Sequence, residues 1–266
     1  MTDQAALHQM AAGSAVTVSQ AAEAIAVVTL HRPPVNALST AAYRQVRDTF
    51  QELAQRADVK VVVLRSELER VFCAGADLNE LREITEGSSQ LSDVTRQGLA
   101  RQMLDAIHGL PQVTVAAVNG PAIGAGAALI ACCDMRIGTP RASICLPEIN
   151  VGRCGGARHW MRLLPQGVVR EMYFTGLPLA AADALRFGVY SRLVPVEDVD
   201  ATALDLARQV AAKGAIALRF AKEALNGCEE LPLSAGYAYE QMFTLRLGET
   251  DEARQTLLAS LAARSR

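Results

Sequence analysis

The stretch from Val113 to Cys133 carries no formal charge. About twenty consecutive apolar residues can cross a bilayer, so this run must be either a span or deeply buried. Its composition decides. Asn119-Gly120-Pro121 interrupts it, Gly124 and Gly126 follow, and Ala outnumbers the bulky aliphatics. A buried strand, a turn and a helix of small residues account for it better than a membrane segment. The run needs a chain able to surround it. At 266 residues and 50 % hydrophobic, this chain can build a full core as one large domain or two small ones.

Lys and Arg number 26 against 28 Asp and Glu. With no long run of one sign, nothing draws the chain to a nucleic acid or an anionic membrane. Met1-Thr2-Asp3-Gln4 lacks the basic and apolar segments of a signal peptide. Six cysteines without C-x-x-C spacing, Cys132 and Cys133 being adjacent, point to free thiols in a reducing cytoplasm.

Strand and helix patterns alternate through the first two thirds. The first twenty residues, rich in Ala, Ser and Gln, are expected to be loosely held. Ile25–Leu30, Lys60–Leu64, Val113–Val118 and Asp134–Ile137 read as buried strands. Pro33 and Pro34 force a loop after the first. Ser39 or Thr40 caps a helix running to about Ala57, with Tyr43, Val46, Phe50 and Leu53 on one face. Glu86 to Gln90 reads as mobile. Such alternation gives right-handed crossovers and a largely parallel sheet. After Pro195 the pattern becomes helical, over roughly 197–212, 215–227 and 233–262. The expected division is a core at 1–195 and a helical region at 196–266. The last helix carries Tyr239, Met242, Phe243 and Leu247, which need covering by the chain's own core or by another subunit.

Several chemistries find no support. There is no G-x-x-x-x-G-K-[ST] and no G-x-S-x-G, and His8, His31, His108 and His159 are scattered without metal spacing. Gly124-Ala125-Gly126 begins like a dinucleotide turn, but Leu129 stands where the third glycine belongs. No metal and no separate cofactor is expected.

Three features remain. Ala74-Gly75-Ala76-Asp77 and Gly120-Pro121-Ala122-Ile123-Gly124-Ala125-Gly126 are turns between a strand and a helix. Amides at such helix starts lack intrahelical acceptors, so two turns face to face would form an oxyanion hole. The same glycines would equally serve close packing or a positive φ. The third feature is Pro147-Glu148-Ile149-Asn150, followed by Gly155-Gly156. Buried among apolar neighbours, Glu148 would have its pKa raised toward the range useful for proton transfer. On the surface it would be one solvated carboxylate among many.

Taken in order, Arg32-Pro33-Pro34-Val35-Asn36-Ala37-Leu38, Phe72-Cys73-Ala74-Gly75-Ala76-Asp77-Leu78, Val118-Asn119-Gly120 through Asp134, and Pro147-Glu148 with Gly155-Gly156 resemble the signature blocks of the crotonase family, the enoyl-CoA hydratase/isomerase superfamily. Thr175-Gly176 and Ala181-Ala182-Asp183-Ala184 to Gly188-Val189 match its next helix pair. The resemblance implies an α/β fold, a spiral of ββα units with a helical C-terminal trimerisation region, assembled as a trimer or dimer of trimers. It implies an acyl-CoA thioester substrate, coenzyme A being part of that substrate. The amides of Ala76 and Ala125 would bind the enolate oxygen. Carbonyls around Ala74 and Ala76, with the Pro34/Val35 loop, would hold the adenine end. Asp77 and Leu78 belong to the same binding turn, Asp77 also being placed to cap the following helix.

Family hydratases typically carry two glutamates. Here the first position is Ala128 and only Glu148 remains. A lone glutamate suffices for a 1,3-proton shift, and it also serves family hydratases of aromatic acyl-CoAs whose block reads Glu-Ile-Asn. Glu80, Glu83 and Glu86, at helical spacing after the first turn, could supply another carboxylate or simply a solvated face. Arg153 and Cys154 are candidate acyl-pocket residues; Cys154 has no neighbouring histidine in sequence to make it a nucleophile. The expected function is an enoyl-CoA hydratase/isomerase type of enzyme. The alternatives are a degenerate acyl-CoA-binding homologue and a family hydrolase or lyase acting on a ring-bearing acyl-CoA.

Overall fold

The computed structural model describes residues 14–264. The chain enters through a hairpin, β1 (Val16–Ala22) and β2 (Ile25–Leu30), and continues into helix α1 (Thr40–Ala54) and strand β3 (Val61–Ser66). Helices α2 (Leu78–Thr85) and α3 (Asp93–His108) lead to β4 (Val113–Val118). Next come β5 (Ala122–Ile123), α4 (Ala125–Ala131), β6 (Met135–Gly138) and β7 (Ile144–Cys145). A 3-10 turn at Glu148–Val151 precedes α5 (Ala157–Trp160), α6 (Gln166–Thr175), α7 (Ala181–Arg186) and β8 (Arg192–Leu193). The remainder is helical: α8 (Val199–Ala211), α9 (Ala215–Cys228), α10 (Leu233–Gly248) and α11 (Asp251–Arg264).

The main sheet runs β1-β2-β3-β4-β6-β8 and is parallel throughout except for the β1/β2 hairpin. The apolar strand runs now have a cause. Successive side chains of a strand point to opposite faces, and both faces are covered. Ala26, Val28, Val62, Leu64, Ala116 and Val118 enter the core shared with α1, α3 and α4. Ile25, Val27, Val61, Val63, Val115, Ala117 and Ile137 enter a second core under Val199, Ala203 and Ala207 of α8. Strands β2, β3, β4 and β6 fall within a residue or two of their expected positions.

Three expectations need correction, and one helix had none. Val16–Ala22 is a paired strand rather than a loose lead-in; residues 1–13 lie outside the described residues. As an edge strand with Ser19 and Gln20 exposed, it lacks the apolar run that marks its neighbours. The sixteen-residue helix α3 was not anticipated. The single helix expected over 233–262 is two, because the chain turns after Gly248 and Thr250 Oγ1 accepts the Ala253 amide at 3.2 Å to start α11. The helix capped by Ser39 ends at Ala54 rather than Ala57. Among the described residues no helix is long and apolar enough to cross a membrane.

Two polar ties hold helices in place. Lys222 on α9 is 5 % exposed and donates to the Gln112 carbonyl at 2.9 Å and Asp134 Oδ2 at 2.8 Å. Asp134 also accepts from the amide and hydroxyl of Thr114 on β4. Glu80 on α2 accepts the Thr40 amide at 2.9–3.0 Å and the Thr40 hydroxyl, closing the N-terminus of α1. Helix α9 also packs on α10, where Phe220 and Phe243 meet edge to face at 5.7 Å and Arg246 lies 4.6 Å from the Phe220 ring. Of the predicted stripe on α10, Phe243 is buried and Met242 is exposed; α11 buries nothing.

Removing either tie strands a partner. Lys222→Ala leaves Asp134 without its counter-charge and should cost about 2–3 kcal/mol in denaturant unfolding. Glu80→Ala should cost about 1–2 kcal/mol, the worth of a helix cap. Unfolding midpoints in urea measure both.

Candidate active site

Beyond the main sheet, four short extended segments lie side by side. Leu38 bridges Ala76, Cys73 bridges Ala122, and β5 pairs with β7. The Leu38 amide donates to Gly75 O at 2.7 Å, and the Asp77 amide donates back to Leu38 O at 3.0 Å. The Ile123 amide takes Cys73 O at 2.9 Å, and the Gly124 amide takes Cys145 O at 2.8 Å. These bonds use up most donors along the segments. Ala76 is skipped by the ladder, and Ala125 stands at the first turn of α4, so neither amide has an acceptor among the described residues.

The two turns touch. A β-carbon on Gly75, at φ +85°, would lie 2.5 Å from Ile123 O and 3.3 Å from the Ala125 nitrogen. One on Gly126 would lie 2.4 Å from Cys73 O. Glycine is required at both places, which brings the turns bearing Ala76 and Ala125 into direct contact.

Strand β7 leads through Pro147 into Glu148, so the β5/β7 pair also sets the carboxylate beside Gly124. Its Oε1 lies 3.2 Å from where a Gly124 β-carbon would be and 3.6 Å from that of Gly156, both glycines having positive φ. Its Oε2 is buried without a hydrogen-bond partner among the described residues. Burial pushes the Glu148 pKa above its ordinary 4.5, a backbone hydrogen bond opposing this only in part. No arginine or lysine pairs with it among the described residues, so that backbone hydrogen bond offsets the burial of its charged form only in part.

A cavity of about 130 Å³ gathers Ala76, Leu78, Ala125, Ala128, Glu148, Arg153 and Cys154. Pro34, Val35, Ala74 and Asp77 do not line it. Val35 O accepts the Ala74 amide at 3.0 Å, so this loop sits directly behind the first turn. Asn36 secures it, donating at 2.9 Å to Ser66 Oγ and to Phe72 O. Asp77 caps α2 through the Asn79 and Glu80 amides and pairs with Arg32 at 2.9 Å.

The replacement carboxylates are absent from the cavity wall. Glu80 is committed to the start of α1, and Glu83 and Glu86 are exposed. Ala128, 1 % exposed, presents only a methyl group. Cys154 has no histidine hydrogen bond among the described residues; His159 lies instead 3.6 Å from Cys132. No group of three or more metal-ligating side chains occurs among the described residues.

Three polar lining residues were missed: Tyr43, Arg96 and Gln97. Arg96 lies on α3 in line with Leu99, Met103 and Ile107, a charge within the buried stripe. That spacing was the available signal. Burial raises the Tyr43 pKa to about 12, against the pull of Arg96 beside it.

The model of the family described as enoyl-CoA hydratase/isomerase matches residues 20–264. A (7aS)-7a-methyl-1,5-dioxo-2,3,5,6,7,7a-hexahydro-1H-indene-carboxyl-CoA hydrolase of Rhodococcus jostii (strain RHA1) is 34 % identical over 94 % of this chain and 96 % of its own. A 2,3-dehydroadipyl-CoA hydratase of Escherichia coli (strain K12) is 33 % identical over 91 % of this chain and 93 % of its own. The crystal structure of an enoyl-CoA hydratase from Bacillus anthracis superposes with TM-score 0.88 at 29 % identity, covering 94 % of this chain and 97 % of that one. The fold is therefore crotonase-like, and the chain belongs to the enoyl-CoA hydratase/isomerase family.

Proposed function

We propose that the chain acts on acyl-CoA thioesters, the Ala76 and Ala125 amides binding the thioester oxygen while Glu148 moves the proton. The observation that carries this reading is the pair of amides on touching turns with no acceptor among the described residues, and in the same cavity Glu148, whose Oε2 has no partner among them. Negative charge that develops on the thioester oxygen as C2 is deprotonated would meet two fixed donors that need no reorganisation.

A single carboxylate limits the chemistry. In double-bond isomerisation, Glu148 takes a proton from C2 of a 3-enoyl-CoA. The electron pair spreads to the thioester oxygen and to C4, and the proton returns at C4. In hydration of a 2-enoyl-CoA, Glu148 takes a proton from water as its oxygen attacks C3. It then gives that proton to C2 as the enolate collapses. Neither route needs an acid at Ala128. A second reading, hydrolytic cleavage of a ring-bearing acyl-CoA, is favoured by the similarity to the Rhodococcus jostii hydrolase. There Glu148 would take a proton from water as its oxygen adds to a ring carbonyl β to the thioester; the bond from that carbon to C2 breaks, leaving a carboxylate and an enolate held by the same amides, and C2 takes up the proton. The third is an acyl-CoA binder without efficient turnover, motivated by Ala128.

We place the CoA moiety along Pro34, Val35, Ala74, Asp77 and Leu78, next to the first turn; it arrives with the substrate, and no separate cofactor is proposed. The exposed Leu233, Leu245, Leu257 and Leu258 on α10 and α11 support a trimer or dimer of trimers built through the region 196–266. The six free thiols support a reducing cytoplasm.

Glu148→Gln should lower turnover of 2-enoyl- or 3-enoyl-CoA by about 10²- to 10⁴-fold, with products identified by mass. Unchanged turnover removes Glu148 from the mechanism. Tight binding of acyl-CoA esters with no product from any of them supports the binder reading.

The same variant tests the electrostatics. With its folded value raised, Glu148 holds its proton to higher pH in the folded chain than in the unfolded one. Folded stability is therefore lost as pH rises from 4.5 through the raised value. Above that window the neutral amide relieves a desolvated charge, so Glu148→Gln should melt above the parent at about pH 8. Activity that needs the ionised base should fall on the acid side with a midpoint above 4.5, and the fall should vanish in the variant.

A further inference from the structure

The cavity wall holds more positive charge than the proposed chemistry uses. Arg96, only 5 % exposed, and Arg153 both line it. They share one carboxylate. Arg96 Nε and Nη2 reach Asp93 Oδ1 at 2.9 and 2.8 Å, while Arg153 Nη1 stands 3.7 Å from Asp93 Oδ2. The other Arg153 contact is loose, Nη2 to Thr85 Oγ1 at 3.4 Å. Two guanidiniums thus share one ion-pair partner, Arg96 also lying against the Tyr43 hydroxyl. Neither arginine pairs with Glu148 among the described residues, so neither serves the proton-transferring group.

A fully structural role explains this poorly. Burying a guanidinium is costly unless it is fully paired. Position 96 continues a stripe of Leu99, Met103 and Ile107, where an aliphatic side chain would pack without that cost. Arg153 follows Gly152, held in the left-handed conformation, and its own amide is bonded to Glu148 O at 2.9 Å. One short turn therefore carries both Glu148 and Arg153, which face the same cavity. A planar guanidinium with free N–H groups matches a carboxylate in geometry as well as charge.

We propose that Arg96 and Arg153 form a specificity subsite for an acyl group bearing a second carboxylate, away from the thioester carbonyl. Asp93 holds the two guanidiniums in place and competes with the substrate for them. The subsite rests on the acyl-CoA reading above and narrows it to anionic acyl groups.

The test is binding, which needs no turnover. Calorimetry on the full chain compares saturated esters of equal length: succinyl- with butanoyl-CoA, adipoyl- with hexanoyl-CoA, and suberoyl- with octanoyl-CoA. Both members of a pair carry the same CoA, so its phosphates cancel in the ratio. The dicarboxylate should bind about ten- to a hundredfold tighter at one or more lengths. Arg153→Gln should reduce that ratio about fivefold or more, and Asp93→Asn, which removes the competitor, should increase it. A merely structural cluster would not move the ratio in opposite directions. Parity, or preference for the plain ester, at all three lengths overturns the subsite while leaving the acyl-CoA reading intact. Failure to bind any ester overturns both.

Discussion

The structure turns on one steric constraint, the contact between the turn at 73–76 and the turn at 123–126. Gly75 and Gly126 have no room for a β-carbon, each facing a backbone oxygen of the other turn at 2.4–2.5 Å. The rest of the site follows from that closeness. The ladder through Leu38, Cys73 and β5 consumes the neighbouring donors and leaves the Ala76 and Ala125 amides without acceptors among the described residues. Pairing of β5 with β7 then carries the chain to Glu148. The main sheet, buried on both faces, supplies the rigid frame on which these short segments end.

The balance of charge is equally constrained. Among the described residues Glu148 is the one carboxylate lining the cavity, and its environment disfavours ionisation. Ala128, which the resemblance sets at the first of the family's two glutamate positions, is a buried methyl group on a helix of small residues. A hydratase using two carboxylates would need a second one near here, and the acidic residues of α2 do not provide it. Their roles lie in capping and in solvent, Glu80 holding the start of α1. Such a site is suited to reactions in which one group both takes and returns a proton.

How much of this was legible in the sequence depends on what each residue touches. Strands buried on both faces announce themselves as unbroken apolar runs, so β2, β3, β4 and β6 were readable. β1, with one side toward water, mixes Thr17, Ser19 and Gln20 with its valines and was not. Helix α3 was obscured because its inward stripe includes Arg96, a residue that pattern reading assigns to solvent. The turns and Glu148 were readable as types. Only the resemblance assigned them roles, and only coordinates show that a β-carbon on Gly75 would touch Ile123 O. The arginine pair escaped because Arg96 and Arg153 are brought together by the fold, 57 positions apart in the chain.

The central claim is that Glu148 and the two amides generate an enolate, whatever the net reaction. Solvent exchange at C2 measures this directly. Incubated in D₂O with a saturated acyl-CoA, which has no double bond to shift or hydrate, the protein should introduce deuterium at C2 faster than buffer alone, as read by mass spectrometry. Glu148→Gln should abolish that exchange. No exchange with the parent protein, or exchange undiminished in the variant, would contradict the account.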